Sequence, residues 1–105
     1  MQAPQTPTWS FLTNYARVLL CIADDPGLRL REIGDRVGVT ERAAHRIVDE
    51  LAAAGYISRA RTGRRNRYSI NREQPLRDSL VHEQSIGDLL ALLSAQHAGS
   101  PTRVH

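Results

Sequence analysis

Residues 31–57 of this chain read REIGDRVGVTERAAHRIVDELAAAGYI, and the spacing of their apolar side chains predicts two helices joined by a tight turn. Ile33 and Val37 lie four residues apart, as on one face of a short helix over residues 31–37. Gly38 suits the positive φ that often ends a helix, and Thr40 is a typical N-cap for the next one. We expect this second helix to run to about residue 54, with a buried stripe formed by Ala44, Ile47, Val48 and Leu51.

The residues before this segment predict a longer first helix. Thr8 is a candidate N-cap, and apolar side chains then recur at helical spacing on two faces as far as Ala23. A helix that is apolar on two sides has to be covered by more than one neighbour. Asp25-Pro26-Gly27 ends it, because proline cannot continue a helix. The alternation in Leu28-Arg29-Leu30 predicts a very short strand before the next helix.

The residues that follow predict a strongly basic β-hairpin and a last helix. Residues 56–61 and 66–70 alternate like two strands, and the turn between them is centred on Gly63. The hairpin holds five arginines with no acidic residue among them: Arg59, Arg61, Arg64, Arg65 and Arg67. Beyond an extended connector over residues 71–84, Ser85 and Asp88 resemble a capping box that opens a helix over residues 85–97.

The length and the charge of the chain limit the functions that it can have. Its 105 residues make one domain, which we place at residues 8–97 between flexible tails at 1–7 and 98–105. The net charge is +3, and all 14 residues counted as Lys or Arg are arginines. Residues 29–72 hold eleven of these arginines against five acidic residues, whereas both ends of the chain are mildly acidic. A basic centre indicates a polyanionic partner.

Several classes of protein are excluded by what the sequence lacks. No apolar run approaches the roughly 20 residues that cross a bilayer, and the N-terminus has no signal-peptide pattern. We therefore expect a cytoplasmic protein without a membrane partner. Cys21 is the single cysteine, so an internal disulfide is ruled out, and we expect it to be buried and inert rather than a redox sensor. No catalytic set can be placed and the four histidines lack ligand spacing, so we predict no enzyme, no metal site and no cofactor.

A helix-turn-helix followed by a basic hairpin resembles the winged helix-turn-helix transcriptional regulators of the MarR-like and ArsR-like kind. Residues 28–70 carry the resemblance, in the pattern Ile33-x3-Val37-Gly38-Val39-Thr40, in Ile47-Val48-Asp49-Glu50-Leu51-x3-Gly55-Tyr56-Ile57 and in the arginine-rich hairpin that ends at Ile70. The resemblance implies a mainly α fold with a small β-hairpin wing, dimeric through its terminal helices. The chain departs from the pattern at Gly34, where alanine is common and glycine loosens the helix, and in being shorter than many MarR-like chains.

The geometry of DNA grooves suggests roles for the basic residues. The major groove admits one helix, and arginine can bind guanine through two hydrogen bonds. We therefore expect the recognition helix, residues 40–54, to lie in the major groove, with Thr40 on a phosphate and an exposed stripe formed by Arg42, His45, Arg46 and Asp49. The wing, residues 58–70, would place its five arginines on the backbone or in the minor groove. Asp49 could instead pair with Arg42 or Arg46 within its own helix.

The first and last helices carry more apolar surface than one small domain can bury. In the families that the chain resembles, terminal helices form the dimer interface, and we assign to it Trp9, Leu12, Leu19, Ile86, Leu89, Leu90 and Leu93. A homodimer would read two half-sites about one DNA turn apart. The sequence thus predicts a sequence-specific, double-stranded DNA-binding transcriptional regulator that represses by occupying its operator.

Other partners and one other function stay open. Trp9, Phe11 and Tyr15 could line a pocket for a small-molecule effector, although core packing explains them more simply. A metal shared across a dimer, as in some ArsR-like sensors, is conceivable. The alternative function is a winged-helix protein–protein interaction or dimerisation module without DNA binding. Such a module would not bind DNA with a steep dependence on salt concentration.

Overall fold

The structure is a computed structural model that describes residues 8–81 and 83–99. The predicted tail at 1–7 lies outside the described residues, as does the predicted tail at 98–105 beyond its first two residues. The elements follow in the order α1 (Asn14–Asp24), α2 (Leu30–Val37), α3 (Glu41–Ala53), β1 (Ile57–Thr62), β2 (Arg65–Ile70) and α4 (Ile86–Gly99). Within the described ranges these four helices and one antiparallel hairpin confirm the predicted mainly α fold with a small wing.

The turn between α2 and α3 has the predicted caps. Gly38 has a φ of 89°, in the left-handed region that glycine adopts without strain, and its N–H donates to the carbonyl of Gly34 at 2.8 Å. The Thr40 hydroxyl accepts a hydrogen bond from the N–H of Ala43 at 3.0 Å, so it caps α3 as expected. These two local signals fix where α2 ends and where α3 begins.

Gly34 is a requirement of this turn rather than a loosening of α2. A Cβ at this position would lie 2.8 Å from the carbonyl oxygen of Val39 and 3.2 Å from that of Thr40. Both atoms belong to the backbone of the turn, which cannot move aside as the end of a flexible side chain can. The absence of a side chain therefore allows α2 and the start of α3 to approach closely.

The wing is a regular two-stranded hairpin. Ile57 pairs with Ile70 and Thr62 with Arg65, which leaves a two-residue turn made of Gly63 and Arg64. The predicted short strand at residues 28–30 is wrong, because α2 already begins at Leu30 and the sheet of the described residues has two strands. The nearest equivalent is one hydrogen bond from the N–H of Tyr68 to the carbonyl of Pro26, 3.1 Å long.

The first helix begins later than predicted. Thr13, not Thr8, is its N-cap, and its hydroxyl accepts from the N–H of Ala16 at 3.2 Å. Just before it, the Ser10 hydroxyl accepts from the N–H of Leu12 at 3.1 Å, a local turn that competes with helix formation. Trp9 and Phe11 therefore precede the helix, pack edge to face with ring centroids 4.9 Å apart, and are 59% and 89% exposed.

One apolar core joins the elements around α1, which contacts the other three helices and β2. The predicted stripe of α3 is buried in it, as are Leu28 and Tyr68. Leu19, Ile86 and Leu90 also belong to this core, with exposed fractions of 2%, 4% and 1%. They have almost no surface left to bury against a second subunit, which corrects their assignment to a dimer interface.

The last helix begins with the predicted capping box. The N–H of Ser85 donates to the carboxylate of Asp88 at 3.0 Å, and the N–H of Asp88 donates to the Ser85 hydroxyl at 3.2 Å. The next N–H groups, of Ile86 and Gly87, bond to carbonyls of the connector, so α4 is held against residues 72–74. These contacts place the described part of α4 alongside α1.

Candidate nucleic-acid interface

The outer face of α3 carries the predicted basic stripe. Arg42, His45 and Arg46 are exposed on the side of the helix opposite its buried residues. Within the described part of the chain, neither Arg42 nor Arg46 forms an ion pair or a hydrogen bond. Their guanidinium groups are therefore unengaged, which is what a contact to a base or a phosphate requires.

Asp49 joins this stripe to the wing. Its Oδ1 lies 2.9 Å from Nη2 of Arg59 on β1, and its Oδ2 lies 3.4 Å from Nε2 of His45 one turn back on α3. The expected alternatives were a pair with Arg42 or Arg46, and the structure forms neither. Sequence reasoning missed Arg59 as the partner because no local spacing links a helix to a strand ten residues away.

The five wing arginines divide into two groups. Arg59 pairs with Asp49, and Arg65 donates a hydrogen bond to the carbonyl of Gly27 in the turn between α1 and α2. Arg61, Arg64 and Arg67 are exposed and, among the described residues, have no such partner. Two of the five therefore attach the wing to the domain, and three remain available for an anion.

A basic cleft of about 440 Å³ lies between the wing and α2. Its charged lining consists of Arg29, Arg31, Glu41, Arg64 and Arg65. Arg29 and Arg31 were not among the predicted site residues, although both fall in the arginine-rich middle of the sequence. Four arginines against one carboxylate suit a phosphate of the DNA backbone.

Thr40 stands at the N-terminus of α3, beside the basic stripe. It is exposed, and its oxygen is already an acceptor in the helix cap. The hydroxyl proton remains available, and the positive end of the helix dipole favours an anion nearby. The position is consistent with the expected phosphate contact.

Several apolar residues near the two ends of the domain are exposed or half-buried. Trp9 is exposed, and Leu12, Leu89 and Leu93 are half-buried, so these four keep surface that a second subunit could cover. Phe11 and Leu92, 89% and 65% exposed, were not assigned to the interface but add to it. The exposure of Trp9 and Phe11 also shows that core packing does not explain them, whereas Tyr15 lines a cavity.

Three further observations concern possible metal ligands, the thiol and the length of the helices. Among them, no group of three or more His, Cys, Asp and Glu is placed to hold a metal ion. Burial raises the pKa of the Cys21 thiol, against the opposing charges of Arg36 and Arg17, so the thiol is less ionised than a free cysteine. None of the described helices is both long and apolar enough to cross a bilayer.

Comparison with known proteins agrees with this geometry. A family model described as "MarR family" matches residues 10–67, which is more than half of the chain. The matched region runs from just before α1 to the middle of β2, and so includes α2, α3 and the first part of the wing. No curated protein matches the chain.

Proposed function

The chain belongs to the MarR family, whose members are DNA-binding transcriptional regulators, and on this premise we propose that it is a sequence-specific repressor that acts as a homodimer. Each subunit would place α3 in the major groove and the wing on the adjacent backbone or minor groove. Repression would follow from occupation of the operator. The proposal makes the protein a binding protein rather than an enzyme, and locates it in the cytoplasm with the DNA that it binds.

The observation that carries this proposal is the ion pair between Asp49 and Arg59. Because it joins the outer face of α3 to β1, it supports a single DNA-facing surface made of the unpaired arginines of the helix and those of the wing. One DNA duplex could contact both, with the helix in a groove and the wing beside it. Two separate basic patches would not support this geometry.

The arginines would have different tasks. Arg42 and Arg46 on α3 reach base edges, where a two-bonded contact to guanine discriminates by about 1–3 kcal/mol. Arg61, Arg64 and Arg67, together with Arg29 and Arg31 of the cleft, would contact phosphates, which position the protein without reading sequence. Arg59 and Arg65 would act indirectly by holding the wing.

The homodimer would form through the exposed apolar surface of Trp9, Phe11, Leu12, Leu89, Leu92 and Leu93. A single module of this size gives limited affinity, and two recognition helices about 34 Å apart read a pseudo-palindrome. Aromatic side chains such as those of Trp9 and Phe11 are also enriched in protein interfaces.

The test of the proposal is fluorescence anisotropy with a labelled generic duplex at about 50 and 200 mM salt. A dimer that makes 6–10 phosphate contacts should lose roughly 10³–10⁵ in affinity over this range. A variant with Arg61, Arg64 and Arg67 all changed to Ala should show a shallower salt dependence, by about 1 in slope for each phosphate that it no longer neutralises. Absence of binding at low salt by a folded dimer would contradict the proposal and favour a protein–protein interaction module.

A further inference from the structure

A cavity of about 350 Å³ lies between α1, α3, the connector and the start of α4, on the flank of α3 next to Arg46. Its walls are mainly apolar, from Ala16, Leu19, Leu51, Ile86 and Leu89. An apolar protein cavity of about 150 Å³ binds benzene, so this one has room for about two fused rings. The cavity belongs to one subunit and takes no residue from the DNA-facing surface.

The ionised group on the cavity wall is Glu50. Its carboxylate accepts a hydrogen bond from the hydroxyl of Tyr15, which raises the pKa of Tyr15, with desolvation by burial as the second cause. Among the described residues Glu50 has no arginine or histidine partner, and neither residue type lines the cavity. The positive charge of Arg46, one turn back on α3, lowers the pKa of Tyr15 but forms no ion pair with Glu50. A carboxylate without an ion-pair partner among the described residues thus lies at the edge of an apolar space.

Two aromatic rings line the same cavity as this carboxylate. Tyr15 and Tyr56 both line the cavity, and the hydroxyl of Tyr56 donates to the carbonyls of Pro75 and Leu76 at 2.8 and 3.1 Å. The hydroxyl of Tyr56 therefore already has hydrogen-bond partners, and the ring forms part of the cavity wall. The faces of aromatic rings attract ammonium and guanidinium groups, and the Arg77 guanidinium already lies 5.9 Å from the Tyr56 ring centroid, outside the cavity lining.

We propose that this cavity binds a small apolar cation, with its one- or two-ring body among the leucines and isoleucine and its positive group between Glu50 and the tyrosine rings. A carboxylate ligand of the same shape is disfavoured, because it would place a second negative charge beside Glu50. Binding at this site does not depend on the proposed function, since the cavity is complete without DNA.

Regulation by such a ligand rests on the proposed function. Glu50 follows Asp49, which holds the wing, and both lie on the helix that carries Arg46. A ligand wedged between α1 and α3 would shift the helix that reads DNA, and DNA would reciprocally change the affinity for the ligand.

The test is isothermal titration calorimetry of the full chain, without DNA, with three matched probes: 1-naphthylmethylammonium, 1-naphthylmethanol and 1-naphthoate. For probes of this size we expect a Kd of roughly 0.1–1 mM for the cation. The alcohol should bind about three- to thirtyfold more weakly, since it lacks the ion pair and the cation–π contact, and the anion should bind least.

Three variants locate the site. Glu50→Gln should weaken the ammonium probe about two- to fivefold and leave the alcohol unchanged, whereas Glu73→Gln, an exposed carboxylate of the connector outside the cavity, should change neither. Ala16→Leu fills the cavity and should weaken all probes, with circular dichroism to show that the chain is folded. Equal or tighter binding of naphthoate, no saturable binding of any probe, or no effect of Glu50→Gln would overturn the assignment.

A parallel anisotropy titration separates this inference from the proposed function. Binding of the cation without binding of DNA would support the cavity assignment and contradict the proposed repressor function. Binding of DNA without binding of any probe would support the repressor function and contradict the cavity assignment. Where both bind, a DNA affinity unchanged by saturating ammonium probe would overturn the regulatory role.

Discussion

The carboxylate of Asp49 on α3 lies 2.9 Å from the guanidinium of Arg59 on β1, and this ion pair ties the recognition helix to the wing. Both side chains are partly exposed, at 47% and 37%, so the pair contributes at most about 1 kcal/mol to stability. Its larger consequence is geometric, because it shows where the outer face of α3 meets the wing. It also removes one arginine from the set that is free to contact DNA.

Asp49→Asn is expected to release Arg59 and make the salt dependence of DNA binding steeper by about 1 in slope, because one more cation can reach a phosphate. Arg59→Ala should leave the slope close to that of the unmodified chain, since Arg59 is already paired. Anisotropy at several salt concentrations measures both. A slope that falls in Arg59→Ala and does not change in Asp49→Asn would show that Arg59 contacts DNA directly.

Arg46→Ala and Arg64→Ala should have different kinds of effect on DNA binding. Loss of Arg46 on α3 should relax sequence preference at one base pair, by about 1–3 kcal/mol, whereas loss of Arg64 at the wing turn should weaken all duplexes alike and lower the salt slope by about 1. Selection from a random duplex library, followed by titration of the selected and scrambled sequences, compares the two. Equal effects on both duplexes from both variants would contradict this division of roles.

Gly34→Ala is expected to destabilise the domain by about 1–3 kcal/mol, because the new methyl group would press on the backbone of the turn between α2 and α3. Gly27→Ala is the matched control, since its methyl group would meet only side-chain atoms, the nearest at 3.6 Å. Urea denaturation followed by circular dichroism measures the free energy of unfolding of each. If Gly34→Ala were as stable as Gly27→Ala, the close approach at this turn would not be needed.

Leu92→Glu should shift the proposed dimer towards monomer, because it places a charge within the apolar surface of α4. Leu80→Glu in the connector is the control: Leu80 is 90% exposed against 65% for Leu92, and it is not among the residues proposed for the interface. Sedimentation velocity over a range of protein concentrations gives the populations. A dimer that survives Leu92→Glu and dissociates with Leu80→Glu would move the interface to the connector.

The helix caps and the buried helix face could be predicted from the sequence, and they were enough to indicate the family. Gly38, Thr40 and the Ser85–Asp88 pair act over three or four residues, so their effect depends little on the rest of the chain. The stripe of α3 was predicted for the same reason. The start of α1 was misplaced because Thr8 and Thr13 carry equal cap chemistry, and only the turn around Ser10 distinguishes them.

The contacts between distant elements could not be read in this way. Asp49 with Arg59, Arg65 with Gly27 and Tyr15 with Glu50 join residues that are 10, 38 and 35 positions apart. Periodicity indicates which face of a helix is buried, but it does not indicate which side chain of another element lies opposite. Packing around the core settles that choice, because it sets the distance and angle between elements. The sequence therefore supplied the arginines, and the folded chain determined which of them hold the wing and which remain free for DNA.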